Sequence, residues 1–322
     1  MTSGVAGMEL AEASNALIYA TMLTLSIAMV LFAASFASGR RPSTAKTVAT
    51  SAHSSGSGSV AVLDRDSDRP VIDSGRRLAN IGMSLTWLAT GLLTIALVLR
   101  GVWAGRVPWG NMYEFSISSA WGVLVVFLAL SLRRDLRWLG LFVVIPALLT
   151  LGLAVTVLYT EAAQLVPALK SYWLVIHVSA AIICAGAFTV AASTAGLSLV
   201  QSRMESRGRS FSGPMSAMPS AERLQTITSR IIAFSFPLWT FSVIAGAIWA
   251  ENAWGRYWGW DPKETWAFIT WVVYAAYLHA RSTAGWRGDR ASWIAILGLV
   301  TFLINYFGVN IFVNSLHSYA GV

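Results

Sequence analysis

Three histidines in or beside apolar segments are the residues of this chain best suited to bind a metal-containing ligand. His177 and His279 lie within apolar runs, and His317 directly follows one. Ionisable side chains are costly in an apolar segment, so a histidine there indicates a functional site by default. A neutral imidazole is a common ligand for haem iron and for zinc. Each histidine taken alone could instead hydrogen-bond a neighbouring carbonyl.

A tryptophan-rich segment at residues 249–266 holds the densest aromatic cluster. Seven of the fifteen tryptophans fall between residues 239 and 271. Tryptophan prefers the headgroup zone of a membrane. A belt of this kind accounts for Trp239, Trp249 and Trp271. A second group interleaves with glycines in one short loop: Trp254, Trp258 and Trp260. Because glycine leaves the backbone uncovered, this loop could lie against a flat apolar ligand.

The residues after this loop predict a helix start. Asp261 stands at N-cap, Pro262 at N1 and Glu264 at N3, which is the spacing of a capping box. We expect this start to hold the tryptophans in a fixed geometry.

The motifs that are present and absent elsewhere in the sequence restrict which ligand these histidines could bind. The single cysteine, Cys184, excludes an intrachain disulfide and a cysteine-cluster metal site. No His-x-x-His or His-Glu-x-x-His pattern of a zinc hydrolase occurs, and neither does a phosphate loop or a dinucleotide fingerprint. Two imidazoles on opposite sides of a flat aromatic platform are what six-coordinate haem iron needs.

The elements that position these residues are predicted to be membrane helices. Of 322 residues, 56% are hydrophobic and 12% are charged, whereas about 25% are charged in an ordinary soluble domain. Backbone polar groups in lipid must bond within their own segment, so each span should be a helix. The predicted class is therefore an all-α, polytopic integral membrane protein with about eight spans, at 13–37, 78–99, 113–132, 138–159, 172–200, 229–250, 264–280 and 291–313.

The arginines and lysines predict the orientation. Eighteen of the 23 lie in the loops on one side of the eight predicted spans and five lie on the other. The positive-inside rule then places both termini outside the membrane. The predicted organisation is an N-terminal anchor at 1–37, a flexible cytoplasmic linker at 38–75 and a core at 76–322. Because the net charge of +8 lies in these short loops, no role with nucleic acid follows.

With this orientation, His177 and His317 share the outer face with the tryptophan loop. His279 lies 15 residues beyond Glu264, which places it roughly 22 Å deeper in a helix. It could be half of a second site, completed by another chain, or a histidine at the inner interface.

The segment 254–266 resembles the WWD signature of haem-handling proteins. Further segments resemble the CcsA/ResC component of the System II cytochrome c synthase: 109–115, 172–178, 277–281, 306–310 and 316–321. The resemblance covers about residues 78–322. It implies that His177 and His317 are axial ligands of haem held on the WWD platform with Trp254, Trp258, Trp260 and Asp261. It also implies that His279 serves an inner haem site.

The resemblance further implies a function in cytochrome c biogenesis. Haem b would cross the membrane, reach the outer platform and be attached through thioethers to the Cys-x-x-Cys-His motif of an apocytochrome c. A ResB (CcsB) membrane protein is the expected partner, and thiol-reducing proteins could act with it. The chain would then be a haem-lyase component that has no acid–base side chain in catalysis and is active only with this partner.

Three alternatives stay open at this point. The first is a haem exporter or chaperone without ligation activity. The second is a haem-delivery protein of the other pathway that carries a WWD signature, and the third is a structural subunit anchored by its tryptophans. The Ala/Gly/Arg-rich composition favours a bacterial cytoplasmic membrane over a thylakoid membrane.

Overall fold

The structure, a computed structural model, describes residues 2–38, 74–161, 170–207 and 218–317, and every regular element in these residues is a helix. The longer helices, in chain order, are α1 Thr2–Ala37, α2 Ser74–Ala104, α3 Met112–Ser131, α4 Gly140–Thr156, α5 Tyr172–Ser206, α6 Ala221–Trp254, α7 Pro262–Ser282 and α8 Asp289–Leu303. A π-helical turn, Ile304–Gly308, and a last turn, α9 Val309–Phe312, continue α8. Residues 39–73 of the predicted linker lie outside the described residues.

The prediction of an all-helical, multi-span membrane protein is confirmed. Seven segments of the described chain are long and apolar enough to cross a membrane: the helices α1 to α6, and α8 with its continuation. The remaining predicted span, 264–280, is α7, which falls below that apolarity because charged residues lie near both its ends and tyrosines and tryptophans lie in its middle. Its 21 residues make it about 32 Å long, and it packs along α8.

Polar contacts between helices show which helix ends lie together at each end of the bundle. At one end of the bundle, Ser14 of α1 donates to the carbonyl of Ala96 in α2, and Arg100 of α2 pairs with Glu114 of α3. At the other end, Ser35 of α1 donates to the carbonyl of Gly75 in α2. The tryptophan-rich loop belongs to the first end, because α3 and α9 reach it there.

The centre of the bundle is packed through small residues and stacked rings. The rings of Phe188 in α5 and Tyr274 in α7 stack with centroids 4.0 Å apart. Gly186 of α5 lies so close to α3 that an added Cβ would collide with the carbonyl oxygen of Gly122. Small residues let helix backbones approach in a membrane, where van der Waals packing drives association. This contact fixes α5, which carries His177, against α3.

We predict that Gly186→Val separates α3 from α5 and destabilises the protein by about 1–3 kcal/mol, the usual cost of overpacking. Thermal denaturation in detergent, followed by loss of monodisperse protein, measures the effect. Gly196→Val is the matched control, because Gly196 lies in the same helix with no atom within 4 Å of its added Cβ. Equal melting temperatures for the two variants would contradict the close approach.

Candidate functional site

A cavity at the end of the bundle that holds the tryptophan-rich loop is the candidate site. The described residues that line it come from the start of α3 and the loop before it, from α5 and α6, from the loop between α6 and α7, from the start of α7, from the end of α8 with the π-helical turn and α9, and from His317. Nine of its lining residues are aromatic: Trp109, Phe115, Trp239, Trp249, Trp254, Tyr257, Trp258, Phe302 and Tyr306. The structure therefore brings His177 and His317 to one aromatic cavity.

His177 is held by α6. Its Nδ1 lies 2.7 Å from the backbone oxygen of Ser242, and the Ser242 hydroxyl donates to the His177 backbone oxygen at 3.1 Å. An added Cβ on Gly246 would lie 2.8 Å from His177 Nδ1. The glycine therefore makes room for the imidazole against the α6 backbone.

His317 is held by the start of α7. Its Nδ1 lies 3.0 Å from Oδ2 of Asp261, and Oδ1 of the same carboxylate accepts the backbone N–H of Leu316 at 3.0 Å. The predicted capping box of α7 is confirmed, with Asp261 at N-cap and Glu264 at N3. Asp261 thus begins a helix and fixes a histidine 56 residues away in the chain.

These two contacts select one tautomer for each ring. A carbonyl and a carboxylate are acceptors, so Nδ1 must carry the hydrogen in both histidines. The lone pair then resides on Nε2, which is the arrangement that carboxylate or carbonyl partners impose on metal-binding histidines. In both imidazoles the nitrogen that carries the lone pair is therefore Nε2.

The electrostatics of the Asp261–His317 pair favour the same state. Burial raises the pKa of Asp261, but the hydrogen bonds from His317 and from the backbone of Leu316 and Lys263 outweigh it and lower the value to about 2. Burial lowers the pKa of His317, and the hydrogen bond to Asp261 opposes this only in part. At neutral pH the carboxylate is ionised and the imidazole is neutral, as metal ligation requires.

Trp249 lies near both histidines. Its ring is nearly parallel to that of His177, with centroids 6.4 Å apart, and its centroid is 5.8 Å from that of His317. Trp249 is 2% exposed and Trp239 is 3% exposed. Their assignment to a lipid-facing belt was therefore wrong, because both rings are buried where the helices meet the cavity.

The other tryptophans divide into two groups. Trp254 and Trp258 line the cavity, and the Trp254 centroid lies 4.8 Å from that of His317. Trp260 is not among the cavity-lining residues and is 66% exposed, with its ring edge-on to those of Trp258 and Phe268. Its backbone has a φ of 59°, and this left-handed conformation bends the loop. Haem contact by these side chains stays a prediction.

His279 lies apart from this cavity. It is exposed near the end of α7 remote from Asp261, and its backbone oxygen accepts hydrogen bonds from Ser282 and Thr283. The structure thus separates His279 from the His177–His317 pair, as the spacing predicted. Its role at an inner site stays a prediction.

Two glutamates hold the loops of the cavity in place. From the sequence, Glu264 was predicted only as part of a capping box, and Glu114 was only a member of the segment 109–115. Glu264 accepts from Arg256 and from the backbone N–H groups of Gly259 and Asp261. These bonds lie on both sides of Trp260, whose left-handed backbone costs about 1–2 kcal/mol for a non-glycine residue. Glu264 therefore stabilises the bend of the loop.

The start of α3 repeats this arrangement across the cavity. Glu114 binds Arg106 and the backbone N–H of Gly110, and Asn111 is the N-cap. The spacing is identical in the two loops, with arginine five residues before the N-cap and glutamate three residues after it. Arg100, 1% exposed, adds a second ion pair to Glu114. The repeated spacing was the signal that could have identified this network.

The fold and the cavity define a class: a multi-span helical membrane protein with two histidines in an aromatic cavity at one end of its bundle. A family model described as cytochrome C assembly protein matches residues 109–317. A cytochrome c biogenesis protein CcsA from Guillardia theta is 40% identical over 256 residues, covering 74% of this chain and 85% of that protein. Another from Prochlorococcus marinus is 39% identical over 254 residues, covering 71% of this chain and 80% of that protein. The chain therefore belongs to the cytochrome c assembly protein family, as a CcsA-type cytochrome c biogenesis protein.

A solved structure shares the fold. It is titled cytochrome c heme lyase CcmF and superposes with a TM-score of 0.62 at 14% identity over 92% of this chain. The match covers 46% of that protein, so this chain spans about half of its length. At this identity the likeness concerns the fold alone.

We predict that Asp261→Asn lowers the pKa of His317 further, because it removes the anion that favours the imidazolium. Asparagine caps a helix about as well as aspartate, so α7 should keep its stability within about 0.5 kcal/mol. Nitrogen-15 histidine NMR in lipid nanodiscs measures the titration, and loss of the signal in His317→Asn assigns it.

Asp289→Asn is the control for that experiment, since Asp289 lies in the first turn of α8 and bonds Ser202. A His317 pKa that stays the same or rises in Asp261→Asn would contradict the contact.

Proposed function

We propose that this protein binds haem in the cavity between His177 and His317 and presents it for attachment to an apocytochrome c. Membership of the cytochrome c biogenesis proteins supports haem as the ligand, and haem here is a substrate that passes through the site. The haem-lyase activity and the dependence on a ResB-type partner are parts of this proposal.

One observation carries the proposal. Two imidazoles that are 140 residues apart in the chain line one aromatic cavity, and each has its Nδ1 fixed by an acceptor. Two Nε2 donors suit six-coordinate haem iron, and the flat indole rings suit a porphyrin face. The donor set and the walls therefore fit haem b before its covalent attachment.

The contribution of the chain to the reaction is ligation and orientation. Thioether formation adds each thiol across a haem vinyl group, so that a C–S bond forms and the thiol hydrogen goes to the neighbouring carbon. The addition consumes no oxidant or reductant, although the thiols must arrive reduced. Holding the reactants in place supplies much of the rate in such a reaction. The cavity residues named above perform that task by fixing the iron axis.

The proposal includes an orientation and a second haem position. The basic loops at the end of the bundle remote from the cavity would face the cytoplasm, which puts the cavity and both termini outside. His279 would bind haem on its way across the membrane, together with the ResB-type partner, because its exposed position leaves room for a second chain. Thiol-reducing proteins would act at the outer face. The membrane would be a bacterial cytoplasmic membrane, with a thylakoid membrane as the alternative.

We predict that His177→Ala and His317→Ala each abolish the six-coordinate b-type haem spectrum of the purified protein, and that added imidazole restores it in part. Each substitution removes one axial ligand and leaves a space that imidazole can fill. Visible spectra of the chain expressed with and without its proposed partner provide the measurement. His279→Ala should lower the amount of haem that reaches the outer site but leave the six-coordinate shape of its spectrum unchanged, because His279 lies on the proposed route and is not a ligand there.

The same preparations distinguish the competing functions. Covalent haem on a co-expressed apocytochrome supports ligation, whereas bound haem without covalent product supports an exporter or chaperone. Haem retained unchanged in both outer variants would contradict the proposed site.

We predict that the haem spectrum stays constant as the pH falls from 8 to 6.5 and is lost only below that range. The pKa of His317 lies below its ordinary value of 6.5, so protonation competes for Nε2 only in more acidic solution. A pH titration followed at the Soret band measures this. Loss of the six-coordinate spectrum between pH 8 and 7 would contradict a buried, neutral His317 ligand.

A further inference from the structure

Lys263 places an ionisable amine in the wall of the cavity. It is the second residue of α7, between Asp261 and Glu264, and it lines the cavity with the two histidines. In the described part of the chain, no hydrogen bond or ion pair joins the Lys263 ammonium to either neighbouring carboxylate: that of Asp261 accepts from His317 and from the backbone N–H groups of Leu316 and Lys263, and that of Glu264 pairs with Arg256. None of the ion pairs among the described residues includes the Lys263 ammonium.

The contacts that Lys263 does make are weak. Its Nζ lies 3.5 Å from the backbone oxygen of Asn305 and 5.7 Å from the centroid of the Tyr306 ring. An ammonium group has three donors, and a charge held away from bulk water is costly unless it is paired. The wall around Lys263 therefore suits an anionic group.

A second polar group beside Lys263 lacks a partner. Asn305 is 6% exposed, lines the same cavity, and its Oδ1 has no hydrogen-bond partner. Asn305 lies in the π-helical turn Ile304–Gly308, an irregularity that is frequent at functional sites. Rotation about χ2 exchanges the amide oxygen for its NH₂ group, which can donate to an anion.

We propose that Lys263 and Asn305 form a subsite for a propionate carboxylate of haem. This inference rests on the proposed function, because it adds the recognition of a second part of the same ligand. The two axial histidines fix the iron but leave the macrocycle free to turn about the axis through them. A carboxylate held at Lys263 stops that rotation.

The subsite would decide which edge of haem meets the apocytochrome. The two propionates and the two reactive vinyl groups lie on opposite edges of the macrocycle. With the propionate edge at Lys263, the vinyl edge points to the opposite wall of the cavity. Lys263 is in this sense a positioning residue for thioether formation.

The test compares haem with its dimethyl ester, in which both propionates are uncharged. The full chain in lipid nanodiscs is titrated with each compound, and binding is followed by the six-coordinate spectrum. We expect wild type to bind haem about tenfold or more tightly than the ester, the effect of one charge-assisted hydrogen bond. We expect Lys263→Gln to lose that preference by weakening the binding of haem alone, whereas Lys263→Arg should keep most of it.

Lys170→Gln is the matched control, because Lys170 is exposed and is not among the cavity-lining residues. The wild-type comparison needs no variant, so it survives misfolding of Lys263→Gln. Equal affinity of wild type for haem and ester would overturn the subsite, and so would a Lys263→Gln variant that folds and keeps the preference for haem. Wild type that binds neither compound would overturn the proposed function as well, which keeps the two failures distinct.

Discussion

The geometry of the cavity depends on the carboxylate of Asp261. That one group begins α7 as its N-cap, accepts the backbone N–H of Leu316 and holds Nδ1 of His317 at 3.0 Å. Among the described residues, the contact between Asp261 and His317 joins the residues after α9 to the tryptophan-rich segment. Because the same carboxylate fixes the tautomer of His317, the start of α7 and the chemistry of this histidine share one group.

Glu264 and Glu114, each three residues after an N-cap, hold the two loops of the site in place. Glu264 holds the backbone on both sides of Trp260, and Glu114 holds the loop that carries Trp109. Glu114 is 0% exposed and paired with two arginines. Breaking a buried pair of this kind costs about 3–5 kcal/mol, which makes the α3 loop a rigid wall. The approach of Gly186 to Gly122 then places α5, with His177, against that wall.

Local patterns were sufficient to predict much of this structure. The apolar runs predicted all eight long helices, because each run must satisfy its own backbone in lipid. Asp261, Pro262 and Glu264 predicted the start of α7, since a capping box is read within four residues. The predicted spans were too short where polar residues continue a helix beyond the apolar run, as in α6, which covers Ala221–Trp254 in place of 229–250.

Features that depend on tertiary contacts could not be predicted in this way. Trp239 and Trp249 carry no local signal that separates a buried ring from one in a lipid-facing belt, and only tertiary packing against other parts of the chain buries them. Ser242 becomes the acceptor for His177 because two helices meet there. The pairing of His317 with Asp261 joins residues 56 positions apart. By contrast, the repeated arginine–glutamate spacing was present in the sequence, and its meaning emerged only when both loops were found around one cavity.

In the proposed function, His177 and His317 bind one haem iron across this cavity. An experimental structure of the haem-loaded protein with its proposed partner tests this most directly. We expect a single iron bound by Nε2 of both residues, with Nδ1 of His317 still on Asp261. An outer haem with its iron on only one of these histidines, or on ligands outside the cavity, would contradict it.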